Sequence, residues 1–168
     1  MILFFMNHWN LQGIPHKGWD LDDVIDVREN GEEAWETIYE TCMMCGKEEI
    51  RFVHILSHPE VKGEFRVGCV CAEKMTEDYV NHKQREKELL NRANRRTTWI
   101  QRDWKVSKNG NLYVNANGCN VVIYRDKRSN KYRVKIDDIF GKQQFDLLQK
   151  AKIAAFNGLE YLKEKGEW

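Results

Sequence analysis

The spacing of hydrophobic residues changes several times along the chain, and each change marks an element. Phe145, Leu148, Ala151, Ala155, Phe156, Leu159 and Leu162 recur every three or four positions, the stripe of an amphipathic helix. Before it, runs 112–114, 120–125 and 132–136 are rich in β-formers. Asn109-Gly110-Asn111, Asn117-Gly118 and the polar stretch 126–130 supply turns between them. In the last run Tyr132, Val134 and Ile136 alternate with Arg133 and Lys135. One face therefore packs under the helix and the other projects basic residues.

Residues 83–102 read as the longest helix, opened by a capping box of Asn81 and Gln84. Its apolar positions are few: Leu89, Leu90, Ala93, Trp99 and Ile100. A helix this polar is a connector between units or a surface laid on an anionic partner. Upstream, 49–56 and 64–67 are β-rich on either side of Ser57-His58-Pro59, which predicts a hairpin. In the first forty residues Trp9, Trp19 and Trp35 lie among acids. Asp20 with Asp23 suggests the cap of a short helix and 32–39 a second one, with the tryptophans anchoring the segment onto the rest.

The expected fold class is α+β. Four segments follow: an acidic, Trp-rich stretch 1–41, a metal-binding unit 42–80, a basic connector helix 81–105, and a three-stranded antiparallel sheet with one packed helix over 106–168. A chain of 168 residues suits one compact domain or two small ones, and two units fit this pattern better. No repeat or proline-rich linker interrupts it; the prolines are Pro15 and Pro59 alone.

Charge sharpens the division. The net charge is only +1, yet 1–41 carries nine acids against Lys17 and Arg28, and 81–110 carries nine Lys/Arg against Glu86, Glu88 and Asp103. Segregation of this kind points to nucleic-acid contact by the basic part, or to solvated faces that balance each other. The acidic segment could instead mimic phosphate or mask the basic half. The opening run Ile2-Leu3-Phe4-Phe5-Met6 has no basic flank or cleavage site and is too short to span a bilayer, so the expected location is cytoplasmic, with no membrane partner.

The sharpest chemical signal is the cysteine spacing: Cys42 and Cys45, then Cys69 and Cys71. Loop-borne cysteine pairs are how a closed tetrahedral Zn²⁺ site collects its ligands, so one structural Zn²⁺ held by these four thiolates is expected. Gly46 and Gly68 beside the pairs would let backbone amides aim at the sulfurs. Because the usual second pair is C-x2-C, His54 or His58 could replace Cys69. Disulfide or bystander thiols are the alternatives, disfavoured in a chain long enough to build its own core. Cys119 reads as a small buried apolar residue.

With its knuckle, hairpin and helix starting at the second cysteine pair, the stretch 40–76 resembles treble-clef zinc fingers. That resemblance implies a short helix over 71–75 whose N-terminal dipole faces the thiolates, and it implies no single function. The βββα order of 109–165 resembles the DNA-binding unit of AP2 domains and integrase arm-binding modules. Carried over, it implies that the uncovered sheet face contacts DNA through Arg125, Arg133 and Lys135, with Lys127 and Arg128 in the neighbouring turn. The basic helix adds Arg92, Arg95, Arg96 and Arg102. Trp99 and Trp104 could stack on bases or pack at the junction. The whole resembles small bacterial and phage-type zinc proteins, which implies an accessory or regulatory role.

No phosphate loop, nucleophile elbow or H-E-x-x-H helix is present, and no small-molecule substrate suggests itself. HNH nucleases also sit on treble clefs with a histidine on the hairpin, a place His54 could fill. Yet no asparagine lies between His54 and Cys69, and no histidine closely follows Cys71. The expected function is non-catalytic nucleic-acid binding, DNA more than RNA, with a protein-docking adaptor acting through the N-terminal segment as the alternative.

Overall fold

A computed structural model describes residues 7–166; the apolar run 2–6 lies outside them. The fold is α+β, and the chain divides into two compact units, residues 1–93 and 94–168.

The first unit is built on an antiparallel sheet in the order β1-β2-β3, from Asp20–Asp26, Phe52–His58 and Val61–Val67. The hairpin β2–β3 appears where the β-rich runs predicted it. Strand β1 replaces the expected helix at Asp20. Its residues pair with β2 from Asp20↔Ser57 to Asp26↔Phe52, so long-range ladder bonds win over the local capping preference of aspartate. Asp26 can be buried because the Arg51 guanidinium meets both carboxylate oxygens at 3.0 Å. The helix expected over 32–39 is absent. Trp35 and Ile38 are 84% and 88% exposed, and a helix whose apolar face meets nothing gains no packing energy.

Helix α1 (Cys69–Thr76) follows β3 directly, with Gly68 as its N-cap and Glu77 in the left-handed conformation at its end. Its buried side packs with Trp19, Met44, Val53, Leu56 and Val67 in one core. Trp19 thus anchors the acidic segment, as expected. Segments 1–41 and 42–80 fall in the same compact unit.

Helix α2 (Asn81–Gln101) is the predicted long helix, and its residues divide between the units after Ala93. The carboxylate of Asp78, rather than the Asn81/Gln84 pair, accepts the entering N–H groups of Val80 and Asn81.

In the second unit five antiparallel strands run in sequence order: β4 (Lys105–Val106), β5 (Leu112–Ala116), β6 (Cys119–Arg125), β7 (Tyr132–Ile136) and β8 (Ile139–Phe140). The three long ones are those predicted; the two-residue edges carry too little pattern to read. Helix α3 (Leu148–Lys165) covers one face, burying Ala151, Ala155, Phe156 and Leu159 with Val121, Ile123, Val134 and Ile136. Cys119 lies in this core. So does Trp99, whose indole N–H donates to the Lys152 carbonyl at 2.8 Å, with Trp104 packed beside it. Among the described residues no helix is long and apolar enough to cross a membrane.

Candidate metal centre

The knuckle that carries Cys42 and Cys45 is closed from both sides by backbone bonds. Glu40 and Ile50 form a two-way bridge at its base, Cys42 N–H donates to Lys47 O at 2.8 Å, and Gly46 N–H to Cys42 O at 2.9 Å. Gly46 takes a φ of 79°, which suits a residue without a Cβ. Met43 N–H reaches Arg66 O at 2.9 Å, fastening the knuckle to β3. Helix α1 brings Cys71 against it. The sulfurs of Cys42, Cys45 and Cys71 all lie within 4.8 Å of one another, a group that could hold a metal ion.

The environment favours a charged sulfur. Cys42 is pulled down to about 5, first by the Cys71 thiol that donates to it, then against burial by the backbone N–H groups of Cys45, Gly68 and Met44. Gly68 therefore serves as expected, whereas the amide of Gly46 closes the turn. Cys71, which holds the shared proton, is pushed upward for the same reason, and the Trp9 indole N–H donates to its sulfur at 3.4 Å. A cation replacing that proton would leave a cluster of thiolates held by oriented donors.

Cys69 is not part of this cluster. Successive helical residues turn by about 100°, so two cysteines two apart on α1 point some 200° away from each other. Cys69 instead lies with His54 and Glu86, their donor atoms again within 4.8 Å of one another. His54 therefore does not substitute for Cys69 in the first cluster. His58 packs against Trp19 with ring centres 5.2 Å apart and planes tilted by 54°, and belongs to neither group. Burial first, then the charges of Glu86 and Glu73, push the Cys69 thiol up to about 12.

The predicted nucleic-acid residues fall on several surfaces. Arg133 and Lys135 lie half-buried on the face of the second sheet turned away from α3, as the alternation implied, and Arg133 pairs with Asp126 and donates to the Gly141 carbonyl, both at 3.1 Å. Arg125 has the opposite parity. It stacks 4.6 Å over Tyr132, donates to its hydroxyl at 2.7 Å, and with Lys127 lines an open cavity of about 770 Å³. Arg128 is exposed in the turn, its N–H bonded to Asp126. On α2, Arg92 is half-buried, Arg95 pairs with Glu160 at 3.3 Å, and Arg102 lies over the Trp99 ring. Arg96 is buried, which removes it from the candidate contacts.

Register identifies partners that residue-by-residue reading missed. Lys105, Tyr113, Val122, Lys135 and Phe140 are successive cross-strand partners and form one row across all five strands. The Tyr124–Arg133 pair lies beside it on the same face, and Tyr124 meets Phe140 edge-on at 6.4 Å. Extending the period-2 parity of β7 to β5 and β6 would have found the tyrosines. Lys105 and Phe140 needed the observed edge pairing.

Compared with known proteins, the chain matches no family model, no curated protein and no solved structure.

Proposed function

We propose that this chain is a nucleic-acid-binding protein in which the second unit makes the contact and one structural zinc, at Cys42, Cys45 and Cys71, organises the first. The observation that carries the reading is the row Lys105, Tyr113, Val122, Lys135 and Phe140 with Tyr124 and Arg133 alongside, in a unit of formal charge +8 from 16 Lys/Arg against eight Asp/Glu. Cations on such a surface neutralise phosphates, and aromatic rings between them offer stacking planes. Lys127 and Arg125, at the cavity lined by Tyr132, add basic residues outside that row. DNA is favoured over RNA, and an accessory, non-catalytic role is consistent with His54 being fully buried.

The test is a titration with single- and double-stranded DNA and RNA at two salt concentrations. Affinity should fall steeply with salt, and Lys135→Ala should lower the log–log salt slope by about 1. Tyr124→Ala should cost about 1–3 kcal/mol if a base stacks there. No binding to any of these at low salt removes the reading.

A second reading, a protein-docking role for the N-terminal segment, is favoured by the exposure of Trp35 and Ile38 among Glu29, Glu32, Glu33 and Glu36. It requires that a photo-crosslinker at position 35 yield one discrete protein adduct in cells, lost with Ile38→Asp.

A further inference from the structure

Beside the three-cysteine cluster, four side chains form a hydrogen-bonded chain whose direction can be worked out atom by atom. The Thr76 hydroxyl lies 2.7 Å from the Ala72 carbonyl, which can only accept, so its hydrogen is committed there. Thr76 Oγ1 must then accept from His82 Nε2–H, 2.7 Å away. His82 is fully buried between the Thr76 hydroxyl and the His54 ring, so neither of its nitrogens meets a carboxylate that would offset the cost of burying a charge. It is neutral, with a bare Nδ1. That atom faces His54 Nδ1 at 2.8 Å, so His54 supplies the hydrogen between them. His54 Nε2 is thereby left as a lone pair 2.8 Å from Glu86 Oε1.

A lone pair and a carboxylate at that separation repel unless an electrophile lies between them. Either a shared proton is held there or a metal ion is. Three observations favour the metal. The sulfur of Cys69 converges on the same point, and the three donor atoms lie within 4.8 Å of one another, where ligands 2.0–2.3 Å from one ion lie up to about 4.6 Å apart. Donation of the other ring N–H to a fixed acceptor, here His82 anchored by Thr76, is the outer-shell arrangement of a metal-bound histidine. Finally, Cys69 and Glu86 line a cavity of about 240 Å³ together with Cys42, Cys45 and Cys71, so an ion has a route to the site.

We propose that His54 Nε2, Cys69 Sγ and the Glu86 carboxylate bind a second Zn²⁺, distinct from the three-cysteine centre, with a fourth position open to that cavity. One nitrogen, one sulfur and one oxygen form a donor set that zinc accepts and that magnesium and calcium do not. With a thiolate and a carboxylate the site sums to zero charge, which suits a largely buried location.

The experiment is metal stoichiometry after zinc loading and equilibrium dialysis, with folding checked by circular dichroism. The expected values are about two Zn²⁺ per chain in the wild type and about one in Cys69→Ser and in Glu86→Gln. X-ray absorption of the wild type should show about two sulfurs per zinc, the average of a three-sulfur and a one-sulfur site. A wild type that holds a single zinc with three or four sulfurs overturns the proposal, because a proton then occupies the His54–Glu86 contact or Cys69 completes the first centre. Variants that still retain two ions overturn it equally. The wild-type measurements decide even where a variant fails to fold, and neither result bears on nucleic-acid binding.

Discussion

Cys42 is the residue around which the first unit is organised. Its sulfur collects three backbone N–H groups and the Cys71 proton inside a core that includes Met44, Val67 and Met75. If these thiols hold the structural zinc proposed above, chelation or Cys42→Ser should unfold the region around residues 40–76, since such an ion can contribute roughly 10 kcal/mol or more. Loss of the first unit's melting transition checks this; a melt unchanged by chelation would count against a structural metal. In the second unit Asp126 accepts from Arg128 N–H and Ser129 N–H and pairs with Arg133, and these bonds, the backbone ones first, hold its pKa below the usual aspartate value. A lowered folded pKa means stability that is complete above the unfolded value of about 3.9 and lost as pH falls through the folded one. Asp126→Asn should thus lower the Tm near pH 7, with the gap from wild type closing in strong acid. A gap that persists there would show that packing, not charge, is responsible.

At the scale of elements, the strongest periodicities in the sequence correspond to real structure: α2, α3, the β2–β3 hairpin and the three long strands of the second sheet. Each except α2, which buries His82 and Arg96 while Leu90 is exposed, buries a face that its own pattern specifies. Ile136 lies on the β7 face under α3, and Ile136→Ala should cost about 2–5 kcal/mol, read as a lower denaturation midpoint with an unchanged m-value. Glu77, left-handed with a φ of 56° at the end of α1, is a different case. Glu77→Gly should stabilise by up to about 1 kcal/mol, because glycine relieves the conformation while the exposed pair with Lys17 contributes little. A lower melting temperature would mean that the pair matters more than the backbone. The misread elements share one cause. Local capping and spacing point to helix at Asp20 and over 32–39, but the state of each depends on whether a distant surface is available to pair with or pack against. The helical phase of α1 likewise separates Cys69 from Cys71, something a spacing rule for loop cysteines does not capture.

For the whole molecule, charge is the dominant division: residues 1–93 sum to −7, from 11 Lys/Arg against 18 Asp/Glu, and residues 94–168 to +8. If six or more phosphates are neutralised by the second unit, raising salt from 50 to 200 mM should weaken binding about a thousandfold, measurable by fluorescence anisotropy. A flat salt response would assign the affinity to apolar contact instead. The amino-acid sequence alone determined the α+β class, the amphipathic faces, the segregation of charge and the presence of paired cysteines, because each is a local property of residue type and period. Only the tertiary structure decided which sulfurs meet, that His54, His82 and Glu86 join Cys69, and which cations share a sheet face with tyrosines. Those outcomes depend on helical phase, strand register and contacts between residues some thirty positions apart, where no local pattern specifies the partner.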